Sequence, residues 1–316
     1  MPFPTGIVDA LDPARLRLLV EVQRRGSISG AAEVCGVSQP SATKQLKTLE
    51  AALGEKLVER NGRASRLTEA GELVAAHAAR VLDTLQGLQE QLASLRGAET
   101  GTLTLAASTT PGTYVLPSIL HCFAERHPGV DVDIAIGSSA WVAERVAKRE
   151  FSLGIAGEVE LPDGVRAEPF LDDELIGIAT PRQLKLRRGR AQISQLSART
   201  MLVREPGSST RAVAERYLAR SGYHPTNRWE LDSNEAIKRS VQAGLGIGFV
   251  SELVVEDEIE RGELVSFRIE GAEPMRRSIY LLLPDDRDST PSERAFIATL
   301  SDCCGVSVAG CTVDAR

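Results

Sequence analysis

Apolar residues follow two rhythms along this chain, and the change between them falls near residue 100. Before it they recur every three or four positions, the helical period. After it they come in short runs bounded by glycine, proline and small polar residues, the habit of strands. The first helix is expected from Pro13, behind an Asp12 cap, to about Arg25, with Leu16, Leu19 and Val20 on its buried face and Gly26 ending it. A second is expected over Ser29–Cys35, with Ala31, Ala32 and Val34 apolar and the alanines small enough to admit a close neighbour. Gly36 bends the chain into a third helix, capped by Ser38, with Pro40 in its first turn and Leu46 and Leu49 as its stripe.

A long helix then runs from roughly Glu72 to Arg96, about 37 Å at 1.5 Å per residue. Val74, Ala78, Val81, Leu85, Leu88, Leu92 and Leu95 alternate at spacings of four and three, a heptad seam of the kind that meets a like helix. Gly97–Gly101 reads as a hinge. Beyond it the strands TLTLAAS, VDVDIAIG, FSLGIAG, VRAEPF, ELIGIAT, TMLVR, RWEL, IGFVS and SIYLLLP alternate with helices. The helices are expected over Pro111–His127 and Ala140–Glu150, from about Thr210, over Ser233–Ala243, and from Pro291 to Leu300. That alternation predicts an α/β unit with parallel-type sheets. Two halves with crossing strands near residues 171–180 and 267–280 would enclose a cleft. The expected division is 1–71, 72–97, 98–301 and a tail at 302–316.

Composition changes this picture little. The chain has 316 residues, 42% apolar and 25% charged, ordinary for a soluble protein of two or three domains. No apolar run is long enough to span a membrane and the N-terminus lacks the features of a signal peptide, so a cytoplasmic location is expected. The net charge of −6 conceals an asymmetry. Residues 1–70 carry ten Lys/Arg against eight Asp/Glu, and the rest carries 27 against 35. The five cysteines, Cys35, Cys122, Cys303, Cys304 and Cys311, form no CxxC pair.

The candidate chemistry begins on the third helix. Gln39, Ser41, Thr43, Lys44 and Lys47 put short hydrogen-bonding groups and cations opposite its buried stripe, suited to base edges and phosphates in a major groove. Lys56, Arg60, Arg63 and Arg66 flank the turn dipeptide Asn61-Gly62, which makes a basic hairpin wing. Here the run GSISGAAEVCGVSQPSATKQLKTLE, followed by LGEKLVERNGR and LTEAG, resembles the N-terminal winged helix-turn-helix of LysR-type transcriptional regulators, and the resemblance extends over nearly the whole chain. Val58 stands where the family usually has Phe. Lys44 and Lys47 stand where Arg is common, which removes the bidentate fork.

The resemblance implies a periplasmic-binding-protein-like effector domain at the C-terminus. It also implies a homotetramer assembled as a dimer of dimers on an inverted repeat in double-stranded DNA, and leaves RNA polymerase open as a partner. The DNA-binding assignment is Ser38, Gln39, Pro40, Ser41, Thr43, Lys44, Lys47, Arg60 and Arg63, with Gln39, Ser41 and Thr43 on bases. The effector assignment follows the polar clusters that stand where strands meet helices: Ser108, Thr109 and Thr110; Ser138 and Ser139; and Gly207, Ser208, Ser209 and Thr210. Arg204 and Asn234 join them, and Arg211 could add charge. Helix N-termini carry free N–H groups, and strand carboxyl ends line the crevice of an open α/β sheet, so a small anion is expected there.

Nothing points to catalysis, a metal or another cofactor. The histidines His77, His121, His127 and His224 lack metal-ligand spacing, and neither a GxSxG elbow nor a Walker loop occurs. Gly244, Gly246 and Gly248 follow a helix and precede a strand, the reverse of a dinucleotide loop. Two alternatives stay open: an α/β small-molecule-binding protein or enzyme with a helical protein-interaction domain, and a constitutive repressor with a vestigial cleft.

Overall fold

The computed structural model describes residues 9–61, 64–95 and 100–305. Gly62, Arg63, residues 97–99 of the expected hinge and 306–316 of the expected tail, with Cys311, lie outside the described residues, as do the side chains of Arg60 and Leu95. The chain divides into two compact units, Met1–Ala98 with Lys148–Glu150, and Glu99–Ala147 with Phe151–Arg316.

In the first unit, α1 (Pro13–Arg25), α2 (Ile28–Val34) and α3 (Gln39–Leu53) are each set by side-chain caps. Asp12, Ser27 and Ser38 accept from the N–H groups of Ala14, Gly30 and Ser41. Gly26 and Gly54 end α1 and α3 in the left-handed conformation that glycine adopts without strain. The three helices close on Leu18, Leu19, Val22, Ile28, Ala31, Ala42, Leu46 and Leu49. Val34, expected with the alanines, is exposed, because the short α2 turns only one face inward.

The wing is the antiparallel pair β1 (Val58–Asn61) and β2 (Ala64–Leu67). It is tied to the end of α3 by Glu50, whose carboxylate accepts from the N–H groups of Leu57 (2.9 Å) and Val58 (3.2 Å). The next helix, α4 (Glu69–Leu95), starts a turn earlier than the apolar pattern suggests, because the Thr68 hydroxyl accepts from the Gly71 N–H and caps it. A Cβ on Gly71 would lie 2.0 Å from the Leu57 carbonyl oxygen, so only glycine lets α4 approach the wing this closely.

The heptad seam of α4 divides in two. Ala78 is buried with Leu16 and Val20 of α1, and Val74 packs on the core of the unit. Val81, Leu85, Leu88 and Leu92 are 46, 39, 52 and 46% exposed, so their stripe lies open on this chain.

In the second unit β3 (Gly101–Ser108), β4 (Val130–Gly137) and β5 (Leu153–Gly157) run parallel in the order β4-β3-β5. The strands β8 (Met201–Arg204), β9 (Arg228–Leu231) and β10 (Ile247–Ser251) repeat that order as β9-β8-β10. Two long strands, β6 (Val165–Ala179) and β12 (Met275–Pro284), pair antiparallel and serve both halves. The sheet is therefore mixed where the alternation suggested parallel. VRAEPF and ELIGIAT, expected as separate strands, form one. A shift in register opposite Pro169 lets this residue, which has no N–H, sit in the ladder.

The expected helix over Pro111–His127 is two helices, α5 (Thr109–Tyr114) and α6 (Leu116–Arg126), parted at Val115 just before Pro117. The remaining helices are α7 (Ser139–Ala147), α8 (Ile193–Ser197), α9 (Ser209–Arg220), α10 (Asn234–Gln242), α11 (Glu256–Glu260) and α12 (Pro291–Cys304). The last includes Asp302 to Cys304, which had been expected in the tail, and ends at left-handed Gly305. The sequence pattern did not show α8, α11, β7 (Arg190–Ala191) or β11 (Val265–Ile269), all five residues or fewer.

A methyl group at residue 71 must push α4 off the wing. We expect Gly71→Ala to destabilise the first unit by about 1–3 kcal/mol, seen in calorimetry as a lower first melting transition. An unchanged midpoint would mean that the contact is not tight.

Candidate functional site

Two places carry the candidate chemistry, one in each unit. On α3 (Gln39–Leu53), Ser38, Gln39, Pro40, Lys44 and Lys47 are exposed, while Ser41 and Thr43 are half-buried. The cap orders the start of the helix. Ser38 Oγ accepts from the Ser41 N–H at 3.4 Å, and Thr43 Oγ1 donates to the Gln39 carbonyl at 3.0 Å. Ser41 Oγ accepts from Gln45 Nε2 at 3.3 Å. Gln45 thus shares the polar face, although it was not among the expected residues. Gln39, Lys44 and Lys47 project into solvent on the side away from the core. Arg60 lies on β1 opposite Ser65.

In the second unit, strand-to-helix turns from both halves meet. Ser108–Thr110, Gly137–Ser139 and Ser208–Thr210 line one small polar cavity with Arg204 and Arg277. The cluster is buried: Ser108, Thr110, Ser139, Ser208, Ser209 and Thr210 are each 6% exposed or less. At its centre lies Arg204, the last residue of β8 (Met201–Arg204), 3% exposed. Its Nη1 donates to Asn234 Oδ1 at 2.6 Å, and its Nη2 to Thr109 Oγ1 at 3.2 Å. Its Nε and Nη2 grip Glu205 Oε2 and Oε1 at 2.7 and 2.8 Å. Asn234 Nδ2 donates to Thr110 Oγ1 at 2.9 Å, so the turn after β9 joins the turn after β3.

The floor is Arg277 of β12 (Met275–Pro284), paired across the ladder with Asp173 at 2.7 Å. Asp173 also accepts from Ser251 Oγ at 2.6 Å, and Arg277 Nη1 donates to Thr210 Oγ1 at 3.1 Å. Burial pulls the Arg277 guanidinium below its ordinary value, while Asp173 opposes that pull. Ser209 Oγ is buried without a hydrogen-bond partner among the described residues. Gly207, at φ +83°, turns the chain so that its carbonyl accepts the Ala140 N–H at 3.1 Å.

Every effector candidate therefore lies in or beside this cluster; Arg211 touches it only through the Arg204 carbonyl, to which its Nη1 donates at 3.0 Å, and its guanidinium is otherwise paired with Glu215 and Glu230. Arg277, Asp173 and Glu205 were not among the candidates. The first two stand beside other charged residues, Asp172 and Glu174 and Arg276, which give no sign of burial, and their pairing needs a register that a single sequence does not give.

The cavity itself encloses only about 10 Å³, the least that one water molecule needs. A second cavity of about 550 Å³ is lined by Glu158, Val159, Leu161, Arg216, Tyr280 and Leu282. Gly157 lines this cavity and also touches the polar cluster: a Cβ there would fall 2.5 Å from Ser209 Oγ and 3.2 Å from Arg277 Nη1. No group of three residues that could hold a metal ion occurs among the described residues.

Both units match known families. Residues 13–72 match the bacterial regulatory helix-turn-helix protein, lysR family, and residues 96–304 match the LysR substrate binding domain. A RuBisCO operon transcriptional regulator of Acidithiobacillus ferrooxidans is 32% identical over 286 residues, 90% of this chain and 92% of that one. Among solved structures, a full-length OxyR variant from Pseudomonas aeruginosa superposes with a TM-score of 0.74 at 23% identity, covering 96% of this chain and 99% of that one. The regulatory domain of CcmR from Synechocystis PCC6803, in complex with 2-PG, superposes with a TM-score of 0.60 at 28% identity, covering 65% of this chain and 98% of that one.

Proposed function

We propose a specific working of this chain, which belongs to the LysR family of transcriptional regulators: its effector is a small anion, seated where Arg204 meets the strand-to-helix turns of both halves. The protein is a sequence-specific DNA-binding regulator whose activity a small molecule bound in its C-terminal domain modulates. The observation that carries the anion is Arg204 itself, a buried guanidinium ringed by hydroxyl and amide groups, with the unpartnered Ser209 hydroxyl beside it. The 2-PG held by the Synechocystis domain is an anion of this kind. The larger cavity beyond Gly157 has room for the remainder of a bulkier effector.

On DNA, Gln39, Ser41 and Thr43 face base edges, while Ser38, Lys44, Arg60 and Arg63 hold phosphates. Pro40 and Lys47 border the same surface. A regulator of this kind works in the cytoplasm, alongside RNA polymerase, and no helix among the described residues is long and apolar enough to cross a membrane. We read no catalytic step into either unit.

Self-association is supported by two apolar faces, one in each unit. The first is the open stripe of α4 (Glu69–Leu95) at Val81, Leu85, Leu88 and Leu92. The second is the edge strand β4 (Val130–Gly137), where Val132, Ile134 and Ile136 are exposed. Exposed apolar edges of that length pair or aggregate unless covered, and two independent faces suit a dimer of dimers on an inverted repeat.

Three measurements test these points. Gln39→Ala should weaken binding to a site selected from random DNA by about 1–3 kcal/mol, and binding to unselected DNA by less. Equal losses in fluorescence anisotropy would remove Gln39 from base reading. Leu88→Asp puts a charge into the helix seam, and light scattering should report a smaller species; an unchanged assembly would place the interface elsewhere. Calorimetry with 2-PG and with inorganic phosphate should show affinity falling about tenfold or more in a Thr109→Val, Ser208→Ala double variant. An effector that binds both proteins equally, or one that is cationic or wholly apolar, would refute the site.

A further inference from the structure

The Arg204 fork is already occupied. A guanidinium offers its Nε and Nη2 hydrogens along one edge, spaced to match the two oxygens of a carboxylate or phosphate. On Arg204 that edge is taken by Glu205, the next residue in the chain, with both oxygens engaged at 2.7 and 2.8 Å. The other contacts of the guanidinium are to uncharged acceptors: Asn234 Oδ1, Thr109 Oγ1 and the Asp232 carbonyl. These hold Arg204 in place whatever Glu205 does. They do not neutralise it.

We propose that Glu205 is the site's own counter-ion, an internal stand-in that the effector's anionic group must displace. The proposal rests on the effector-site reading above and adds how that site is gated. Three observations carry it. First, the cavity beside the guanidinium has only about 10 Å³ of free space, too little for a phosphate group, so an anion reaches the fork only by taking the place that Glu205 now fills. Second, the two partners differ in freedom. The Arg204 side chain is 3% exposed and the Glu205 side chain 23%, so Glu205 can swing into water while Arg204 cannot. Third, the backbone that carries Glu205 is fixed. Pro206 follows it and restricts it to extended geometry. Gly207 at φ +83° completes a tight turn that the Ser208 N–H closes on the Glu205 carbonyl at 3.3 Å. Displacement is then a side-chain rotation about a fixed turn.

Withdrawing Glu205 with nothing in its place would leave a buried cation without a counter-charge, which is strongly unfavourable. The empty site therefore stays closed on its own carboxylate, and only an anion able to span the fork opens it. A neutral analogue of the same shape gains nothing from the exchange. Selection for charge is built into the resting state, and affinity is reduced by the fraction of sites that Glu205 occupies.

The test uses the full-length protein and inorganic phosphate in chloride-free buffer, followed by calorimetry and by the phosphate-dependent rise in melting temperature. Glu205→Gln keeps the shape and removes the charge, so phosphate should bind about tenfold tighter than to the wild type. Glu205→Asp, one methylene shorter and still charged, should fall between the two and serves if the glutamine variant is poorly folded. Adding Thr109→Val and Ser208→Ala to Glu205→Gln should abolish the gain. If all three proteins bind phosphate alike, and each loses it with Thr109 and Ser208, Glu205 is not a counter-ion although the effector site stands. A gain that survives the loss of those hydroxyls would place the phosphate elsewhere and overturn the proposal. If no form binds phosphate or 2-PG, the effector reading falls and the proposal with it.

Discussion

A guanidinium that has lost its water must find acceptors for its five hydrogens, and that requirement organises the second unit. Arg204, 3% exposed, draws them from three separate pieces of chain: the start of α5, the start of α10 and its own neighbour Glu205. Asn234 relays the demand by donating onward to Thr110. Turns that lie far apart in sequence are thereby held at fixed distances. Arg277 imposes a second constraint of the same kind, but its partner Asp173 faces it across an antiparallel ladder and is braced by Ser251. A buried pair of this sort adds little net stability compared with apolar replacements, yet it is costly to break. Its effect is to specify register. The two cations differ in what surrounds them: Arg277 is locked between strands, whereas Arg204 is gripped by turns and by one side chain that reaches solvent.

That difference explains what could be read from the sequence and what could not. The DNA-binding unit was legible because its determinants are local. Asp12, Ser27 and Ser38 each cap a helix within three residues of themselves, and Gly26 and Gly54 end helices where they stand. The role of Gly71 was not legible, since it depends on the carbonyl of Leu57 across the wing. In the second unit the hydroxyl clusters were visible because each sits at its own strand end. Arg277 and Asp173, 104 residues apart, were not, because they matter only through the register of β6 and β12. The continuity of β6 was not legible for a similar reason: the register shift that accommodates Pro169 in the ladder belongs to its pairing with β12.

The seam on α4 shows how one pattern can serve two purposes. A period of three and four says that a stripe is apolar. It does not say what covers it. The first part of the stripe meets α1 and belongs to the core of its own unit, whereas Val81, Leu85, Leu88 and Leu92 are exposed. Periodicity cannot mark that handover, because both partners are helices and both want leucine or alanine at the same positions. Burial marks it plainly.

Charge supplies the last connection. The second unit, residues 99–147 and 151–316, holds 31 acidic side chains against 23 cations, so it repels anions at a distance, while the first unit carries 14 cations against 12 acidic side chains. Long-range attraction therefore favours DNA at the first unit and does little to gather an anionic ligand at the second. Whatever selectivity the second unit has for anions must come from contact, where a dry, preoriented fork counts for more than the field of the whole surface. Burying Arg204 and pairing it is the way an acidic domain keeps such a fork ready. The same burial makes entry depend on geometry as well as charge, since any anion that enters must match two oxygens to the fork and displace Glu205.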